Sequence, residues 1–293
     1  MICTDNLITP LPNTEFCFGN GWAKSMIRFT IALECCMPTP NNNTSGSLVN
    51  TAADTESQYF DSVIENVGEF NPFLNRGWDT LRRRFEEMVS PGLEARLLDV
   101  GCGTGQSRQI YDRVILPANY TGLDLSAKAV ELAESKFPDS HWLVADACAL
   151  PLEEGEFDVV VFSSVLHHIP EFSRALVEAR RVLKPGGTVF AFDPNLLHPA
   201  MRLFRDPKSR FYKPEGVSPN ERPLHPKELW SAFKQAGFIG IEQRAQSDLP
   251  YRAVAPRGLN TLLKTYNAVD KVWEQCGLGR RYGTFVLTCG RKA

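Results

Sequence analysis

A glycine-rich loop is the segment whose residue types and spacing most directly suggest chemistry. It occupies residues 99–106 and has glycines at Gly101, Gly103 and Gly105. Because glycine has no Cβ, such a loop can turn tightly and bring its backbone close to a ligand. A dinucleotide-binding loop has the spacing G-x-G-x-x-G, but here the third glycine comes one position earlier. Asp99 precedes the first glycine by two residues, where its carboxylate would repel a pyrophosphate and attract ammonium and sulfonium groups. The loop therefore favours a cationic amino-acid nucleoside over a dinucleotide.

Two further acidic residues follow neighbouring predicted strands. Asp124 comes about 20 residues after the loop, a position from which a carboxylate can accept hydrogen bonds from ribose hydroxyls. On its own Asp124 fits a nicotinamide cofactor equally well, and the alternative is that it only caps the following helix. Asp146 lies directly after the third strand, where its carboxylate can accept a hydrogen bond from an adenine amino group. In register with the glycine loop, these acids indicate a nucleoside site.

Alternating strands and helices from about residue 95 onward position these residues. The patterns predict strands over residues 95–100, 120–123, 141–145, 157–162, 188–192, 238–242 and 283–289, and helices over 106–115, 126–137, 172–183, 226–236 and 259–276. The strands are too apolar to have a solvated face, which predicts a parallel sheet covered by helices on both sides. The Pro-Gly-Gly sequence at 185–187 is expected to stop a helix, and residues 194–224 show no clear element.

Together these motifs resemble the class I S-adenosylmethionine-dependent methyltransferases, most closely the broad group that methylates small molecules, lipids and sugars. The resemblance covers about residues 95–193, including the loop after the fourth strand, and more loosely 226–242 and 282–290. It implies a doubly wound, Rossmann-like α/β fold with a seven-stranded, mostly parallel sheet and helices on both faces. The last strand would be antiparallel and inserted beside the sixth.

The same resemblance implies the residues of the site. The cofactor S-adenosyl-L-methionine would be bound by Asp99, Gly101, Cys102, Gly103, Gly105, Asp124, Leu125, Asp146, Ala147 and Ser163. Asp99 and the loop glycines would hold the methionine part, and Asp124 would hold the ribose. Asp146 and Ala147 would hold the adenine. Ser163 would line the methyl-transfer cleft.

His167 is the candidate general base for an acceptor that must lose a proton. The family loop places it near the cleft, and an imidazole titrates near neutral pH. The alternative is a structural histidine that is bonded to the backbone. His168 and His198 are weaker candidates for the same role. We expect O- or N-methylation rather than C-methylation.

The acceptor must be recognised by segments outside the shared core. Residues 198–224 carry basic and aromatic side chains, namely Arg202, Arg205, Lys208, Arg210, Lys213 and Arg222 with Phe204, Phe211 and Tyr212. Such a flap would suit an anionic or glycan-like acceptor, for example a phosphate-linked lipid or sugar, and the alternative is a solvated loop. The helical pattern over 259–276 is expected to pack on the core, and peripheral contact with a membrane is left open.

Bulk properties bound the remaining possibilities. The 293-residue chain has 32 basic and 34 acidic side chains, so nucleic acid is disfavoured as an obligate partner. No apolar run approaches the ~18 residues of a transmembrane helix. The eight cysteines lack metal-ligand spacing, which predicts reduced thiols in a cytoplasmic protein and no metal site.

The chain is expected to divide into three parts. Residues 1–55 read as a disordered leader, and 56–94 as a helical N-terminal cap. Residues 95–293 form the methyltransferase domain, with insertions at about 196–224 and 246–280. Two other functions stay open: a non-catalytic S-adenosylmethionine-binding or scaffold protein of the same fold, and a nicotinamide oxidoreductase. The glycine spacing and Asp99 argue against the second.

Overall fold

The structure is a computed structural model that describes residues 51–69, 71, 73–212, 214, 216–250 and 263–293. Residues 1–50 of the predicted leader lie outside the described residues. Helix α1 (Ala52–Val67) begins four positions before the predicted boundary at residue 56. Its start is fixed by a capping box, in which Thr51 accepts a hydrogen bond from the backbone of Asp54 while the Asp54 side chain accepts one from the backbone of Thr51.

A seven-stranded sheet forms the centre of the fold. Its strands are β1 (Leu97–Val100), β2 (Tyr120–Asp124), β3 (His141–Val144), β4 (Phe157–Ser163), β5 (Leu183–Pro194), β6 (Phe238–Gln246) and β7 (Phe285–Lys292). The order across the sheet is β3-β2-β1-β4-β5-β7-β6. The first five strands pair in parallel, and β7 is antiparallel to both β5 and β6. The predicted doubly wound fold, with its antiparallel last strand beside the sixth, is confirmed.

Helices cover both faces of this sheet. After α1 they are α2 (Asn75–Val89), α3 (Arg108–Tyr111), α4 (Ala127–Lys136), α5 (Phe172–Val182), α6 (Pro199–Phe204), α7 (Pro226–Gln235), α8 (Leu263–Gln275) and α9 (Gly279–Tyr282). Neighbouring strand residues enter different cores, since Leu98 packs with the apolar residues of α5 and α7 whereas Leu97 packs with those of α2 and α3. This alternation explains why the central strands β1, β2 and β4 have no solvated face. None of the described helices is long and apolar enough to span a membrane.

The structure corrects two of the element predictions. Helix α5 ends at Val182 because Leu183 is already extended and pairs with Phe157, so residues 185–187 belong to β5 and do not stop the helix. The segment without a predicted element contains the short helix α6. Its Pro199 occupies the first turn, where a missing N–H is tolerated.

Candidate functional site

The loop after β1 crosses the end of β2. The backbone N–H groups of Gly101 and Cys102 both donate to the carbonyl of Leu123, over 2.7 and 3.1 Å. Gly101 has a φ of +76°, and a Cβ added to it would lie 2.4 Å from Cβ of Val165. Gly103 has a φ of +52°, and a Cβ there would meet no atom within 4 Å. The first glycine therefore permits close packing, and the second leaves open space beside the backbone.

Asp99 lies beneath this loop and not on its ligand side, which differs from the expectation. It is 0% exposed. Its Oδ2 accepts hydrogen bonds from Ser107 and Tyr120, and its Oδ1 accepts one from Ser163. Burial raises the pKa of Asp99 to about 6, although these three hydroxyl bonds oppose the rise. Asp99 therefore supports the loop from below, and the sequence could not show this because its polar partners come from three other segments.

Gly105 also faces away from the ligand side of the loop. A Cβ on Gly105 would lie 2.8 Å from Cε2 of Phe137, and its φ is +80°. The residue is needed because the backbone is left-handed there and an aromatic ring packs against it. Gly105 thus shapes the loop but does not line the cavity described below.

Asp124 ends β2 and joins the loop to helix α4. Its Oδ2 accepts from the backbone N–H of Gly103 over 2.8 Å, and its Oδ1 accepts from that of Ser126 over 3.0 Å. Burial raises the pKa of Asp124, and these backbone bonds oppose the rise. Ser126 itself caps α4 by accepting from the backbone of Ala129. Asp124 thus helps to organise the helix start and also lies on the cavity wall, and its contact with a ribose stays a prediction.

A single large cavity brings most of the predicted residues together. Its volume is about 780 Å³, which is within the range of small-molecule sites. The wall includes Gly101, Cys102, Gly103, Asp124, Leu125, Asp146, Ala147, Ser163 and His167 from the prediction. Asp146 is partly exposed there, and its Oδ1 accepts from the backbone N–H of Cys148 over 2.8 Å. Of the predicted site residues, Asp99, Gly105 and the weaker base candidate His198 are absent from the wall.

Helix α1 forms one side of the same cavity, through residues such as Tyr59, Phe60 and Ile64. The Ser57 hydroxyl donates to the carbonyl of Leu125 over 3.1 Å. Asp61 accepts hydrogen bonds from the Ser126 hydroxyl and the backbone of Lys128. The helix is thus attached beside the segment that carries Asp124.

His167 lies next to a buried carboxylate that sequence reasoning did not single out. Asp193, in β5, is 0% exposed and its Oδ1 lies 2.9 Å from Nδ1 of His167. The same Oδ1 accepts the backbone N–H of His167 over 3.1 Å. Burial, followed by the charge of His168, holds the pKa of His167 well below its usual value. Burial raises the pKa of Asp193 to about 7. The sequence feature that could have identified Asp193 as a site residue is its position near the carboxyl end of a strand.

His168 lies beside His167, with 4.0 Å between the ring centroids. Its Nδ1 is 2.8 Å from Oε1 of Glu56 and 2.8 Å from Oγ of Ser218. Glu56 is only 5% exposed although it belongs to α1. Sequence reasoning missed Glu56 and Ser218, because they come from segments 112 and 50 residues away from His168.

The charges on the cavity wall do not form an anion site. Five carboxylates and two guanidinium groups line it, from Glu56, Asp124, Asp146, Glu171 and Glu221 and from Arg174 and Arg205. Arg205 forms an ion pair with Glu221; burial alone would raise the pKa of Glu221, but Arg205, the two histidines and the backbone N–H of Ser218 together lower it. Arg222 pairs with Glu228 outside the cavity. Arg202, Lys208 and Arg210 do not line this wall, so a basic flap for an anionic acceptor stays a prediction; Lys213 lies outside the described residues.

Comparisons with known proteins agree with this geometry. A family described as a methyltransferase domain matches residues 98–191. The demethylmenaquinone methyltransferase of Thermotoga maritima is 32% identical over 154 residues, which are 52% of this chain and 66% of that protein. The phthiotriol/phenolphthiotriol dimycocerosates methyltransferase 1 of Mycobacterium ulcerans is 40% identical over 100 residues, or 33% and 37% of the two chains. The chain thus spans less than two thirds of the length of either relative.

Solved structures share the fold at lower identity. A phosphoethanolamine N-methyltransferase 2 of Haemonchus contortus has a TM-score of 0.58 at 20% identity, over 83% of this chain and 60% of that one. The cyclase SpnF has a TM-score of 0.55 at 21% identity, over 85% and 99%. The fold by itself therefore accommodates more than one reaction.

The cavity wall fits S-adenosylmethionine, the cofactor of this family. The Thr104 hydroxyl is buried and has no hydrogen-bond partner among the described residues, so it can bind a polar group of a ligand. Gly103 leaves room beside the backbone, and Asp124 stands on the wall where a ribose would need an acceptor. The excess of carboxylates suits a ligand with a sulfonium charge. Residues 98–191 thus form a methyltransferase domain, and the strand order and these site residues are similar to those of the class I S-adenosylmethionine-dependent methyltransferases.

Proposed function

We propose that the protein transfers a methyl group from S-adenosylmethionine to an oxygen or nitrogen atom of a small organic, lipid or glycan acceptor. The observation that carries this proposal is that His167, held from behind by the buried Asp193, lies on the wall of the cavity that also contains the glycine loop. A base that is oriented by a third group is the usual arrangement for removing a proton from an acceptor. The demethylmenaquinone and phthiotriol methyltransferases support a lipid-like acceptor by their similarity.

The tautomer of His167 follows from its contacts. Oδ1 of Asp193 already accepts the backbone N–H of His167, so it acts as an acceptor toward the ring as well. Nδ1 of His167 therefore donates, and Nε2 carries the lone pair that can receive a proton. A proton bound to Asp193 would sit on Oδ2, which has no partner among the described residues. Its lowered pKa keeps the imidazole neutral near pH 7, so the lone pair on Nε2 is available to an acceptor proton.

The cofactor supplies an activated methyl group on a sulfonium. The protein then has to align the acceptor with that methyl group, and orientation of this kind contributes about 7–11 kcal/mol. Bound S-adenosylmethionine would give up this methyl group and be left as S-adenosylhomocysteine, and Nε2 of His167 would take the proton that the acceptor atom loses. The apolar side chains of α1, such as Phe60 and Ile64, would exclude water from the reacting atoms.

Further parts of the proposal concern the organisation of the chain. We assign α1 and α2 to an N-terminal cap on a methyltransferase domain that starts at about residue 95. The free thiols among the described residues, Cys102, Cys148, Cys276 and Cys289, support a reducing, cytoplasmic environment.

Methyl transfer to a defined panel tests the proposal. The full chain would be incubated with radiolabelled S-adenosylmethionine and with demethylmenaquinol, a long-chain lipid alcohol, simple phenols and amines. Labelled product from an alcohol, phenol or amine supports it, and mass spectrometry locates the methyl group. His167→Asn should lower the rate about 10²- to 10⁴-fold while S-adenosylhomocysteine still binds, and His141→Asn on the exposed end of β3 is the control. Transfer only to carbon would refute O- or N-methylation. Tight cofactor binding without any transfer would favour the non-catalytic alternative.

A further inference from the structure

The proposed reaction uses only one of two carboxylate–histidine pairs in the cavity. His168 forms the second pair with Glu56, and it also lines the cavity. Glu56 is buried although a glutamate on a surface helix is ordinarily solvated. Its carboxylate accepts hydrogen bonds from the Ser218 hydroxyl and from the backbone N–H of Asn220, in addition to its contact with His168. An acid that is removed from water and held by three groups has a definite positional role.

These contacts fix the tautomer of His168. A carboxylate accepts hydrogen bonds, so Glu56 accepts from Nδ1 of His168. Ser218 gives its own hydrogen to Glu56, so its oxygen is also an acceptor toward Nδ1. Nδ1 therefore carries a hydrogen, and Nε2 of a neutral His168 ring carries a lone pair. Glu56 comes from α1 and Ser218 from the segment after α6, so this arrangement joins two elements that both contribute residues to the cavity wall.

Both imidazoles consequently have an unprotonated Nε2, which can accept a hydrogen bond from a ligand. His167 is held by Asp193 through Nδ1 and His168 is held by Glu56 through Nδ1, and the ring centroids are 4.0 Å apart. Neither Nε2 has a hydrogen-bond partner among the described residues. The two rings thus lie side by side on the cavity wall, and a ligand that contacts both Nε2 atoms must bring two neighbouring donors.

The charges nearby restrict the ligand further. Glu56 and Glu221 both line this end of the cavity, and the guanidinium group of Arg205 is paired with Glu221. A phosphate or carboxylate next to the reacting atom would therefore meet like charges at short range, which is unfavourable. An uncharged polar ligand meets no such penalty.

We propose that His168 binds the acceptor next to the reacting atom, that Glu56 and Ser218 position it, and that the acceptor is an uncharged molecule with two adjacent hydroxyl groups, one of which is methylated. This inference rests on the proposed function, which it deepens by naming the acceptor class. His167 takes the proton of the hydroxyl that reacts, and Nε2 of His168 accepts a hydrogen bond from its neighbour. Catechols and the vicinal diols of sugars share this chemistry.

The tautomers can be measured without knowing the acceptor. Nitrogen-15 spectra of the imidazoles in the full chain, recorded with and without S-adenosylhomocysteine, should show both rings protonated at Nδ1 and unprotonated at Nε2. In Glu56→Ala and in Ser218→Ala, the signals of His168 should lose this fixed pattern while those of His167 keep it. A His168 ring that is protonated at Nε2 alone in the unaltered protein overturns the proposal.

Binding of matched probes tests the acceptor class. Catechol and phenol differ by one hydroxyl, and we expect catechol to bind the S-adenosylhomocysteine-loaded chain about two- to tenfold more tightly. His168→Phe keeps a flat ring and should abolish this preference, which a purely structural role would leave unchanged, and His141→Phe on exposed β3 should retain it. The anion 3,4-dihydroxybenzoate should bind more weakly than catechol.

The remaining outcomes of these titrations would contradict the proposed acceptor class or the proposed function. Equal binding of catechol and phenol, or a preference that survives His168→Phe, overturns the proposal, and so does binding of neither probe at millimolar concentration to the loaded chain. If S-adenosylhomocysteine itself does not bind, the proposed function fails. The tautomer spectra of the ligand-free chain then still decide the positioning role of Glu56.

Discussion

Replacement of Gly103 by alanine distinguishes two roles of a loop glycine: allowing a left-handed backbone, and leaving space for a ligand. Gly103 has a φ of +52°, and an added Cβ would meet no protein atom within 4 Å. Its backbone N–H remains bonded to Asp124. A methyl group at this position therefore causes no clash in the ligand-free protein, but it occupies space on the cavity wall where the cofactor is expected.

The backbone conformation and the open space of Gly103 give the expected changes in folding stability and in cofactor affinity. An alanine in the left-handed region costs about 1–2 kcal/mol of folding stability, and this cost is independent of any ligand. A methyl group that displaces the cofactor from the loop backbone should reduce the affinity for S-adenosylhomocysteine at least about tenfold, which corresponds to about 1.4 kcal/mol. Titration calorimetry gives the affinity, and thermal unfolding gives the stability.

Gly155 provides a matched control. Its φ is +69°, a Cβ there also meets no atom within 4 Å, and it does not line the cavity. Gly155→Ala should therefore lower the stability as much as Gly103→Ala does, while the affinity for S-adenosylhomocysteine stays within about twofold of the unaltered protein. If Gly103→Ala also binds with unchanged affinity, the cofactor does not lie against this part of the loop and the reasoning is refuted.

Three further changes test other parts of the site. Asp124→Ala should weaken S-adenosylhomocysteine binding by about tenfold or more, because a hydrogen bond to a charged group contributes about 1.5–3 kcal/mol; calorimetry at unchanged helix content checks this. Thr104→Val removes a buried hydroxyl that has no partner, so the free protein should be as stable or more stable while cofactor affinity falls, and a loss of stability would contradict this. The folded-state pKa of Asp193 is raised to about 7, so its protonation stabilises the fold below its unfolded pKa and this contribution is lost as the pH rises toward 7. In Asp193→Asn, the free energy of unfolding should therefore fall less between about pH 4 and 7 than it does in the unaltered protein. Denaturant unfolding at several pH values measures this. The same dependence of the unfolding free energy on pH in both proteins would contradict the described burial of Asp193.

The sheet could be predicted from the sequence because its signals are local. Buried strands give continuous apolar runs, and the glycine loop lies between the first strand and the next helix in both the prediction and the structure. The location of Asp124 beside the glycine loop could be predicted as well, because this residue stands at the end of a strand. The capping role of Ser126 follows from residues within a single turn of helix α4.

The acceptor side of the cavity could not be predicted, because its contacts join segments that are far apart in the chain. The environment of His168 depends on Glu56 and Ser218, and neither residue is near it in the chain. The basic residues of the flap suggested an anion site, but Arg205 and Arg222 are paired with glutamates whose positions only the fold reveals. The orientation of Asp99 was likewise hidden, since its partners Ser107, Tyr120 and Ser163 belong to different elements.

The placement of β7 between β5 and β6 has a consequence for synthesis of the protein. Strand β6 precedes β7 in the chain, yet it joins the sheet only through β7. Until residues 285–292 have left the ribosome, β5 has an open edge and the apolar side chains of β6 have no partner strand. Exposed edges of this kind are sites of aggregation. Chaperones would therefore find their best target on this protein in the interval between translation of β6 and translation of β7.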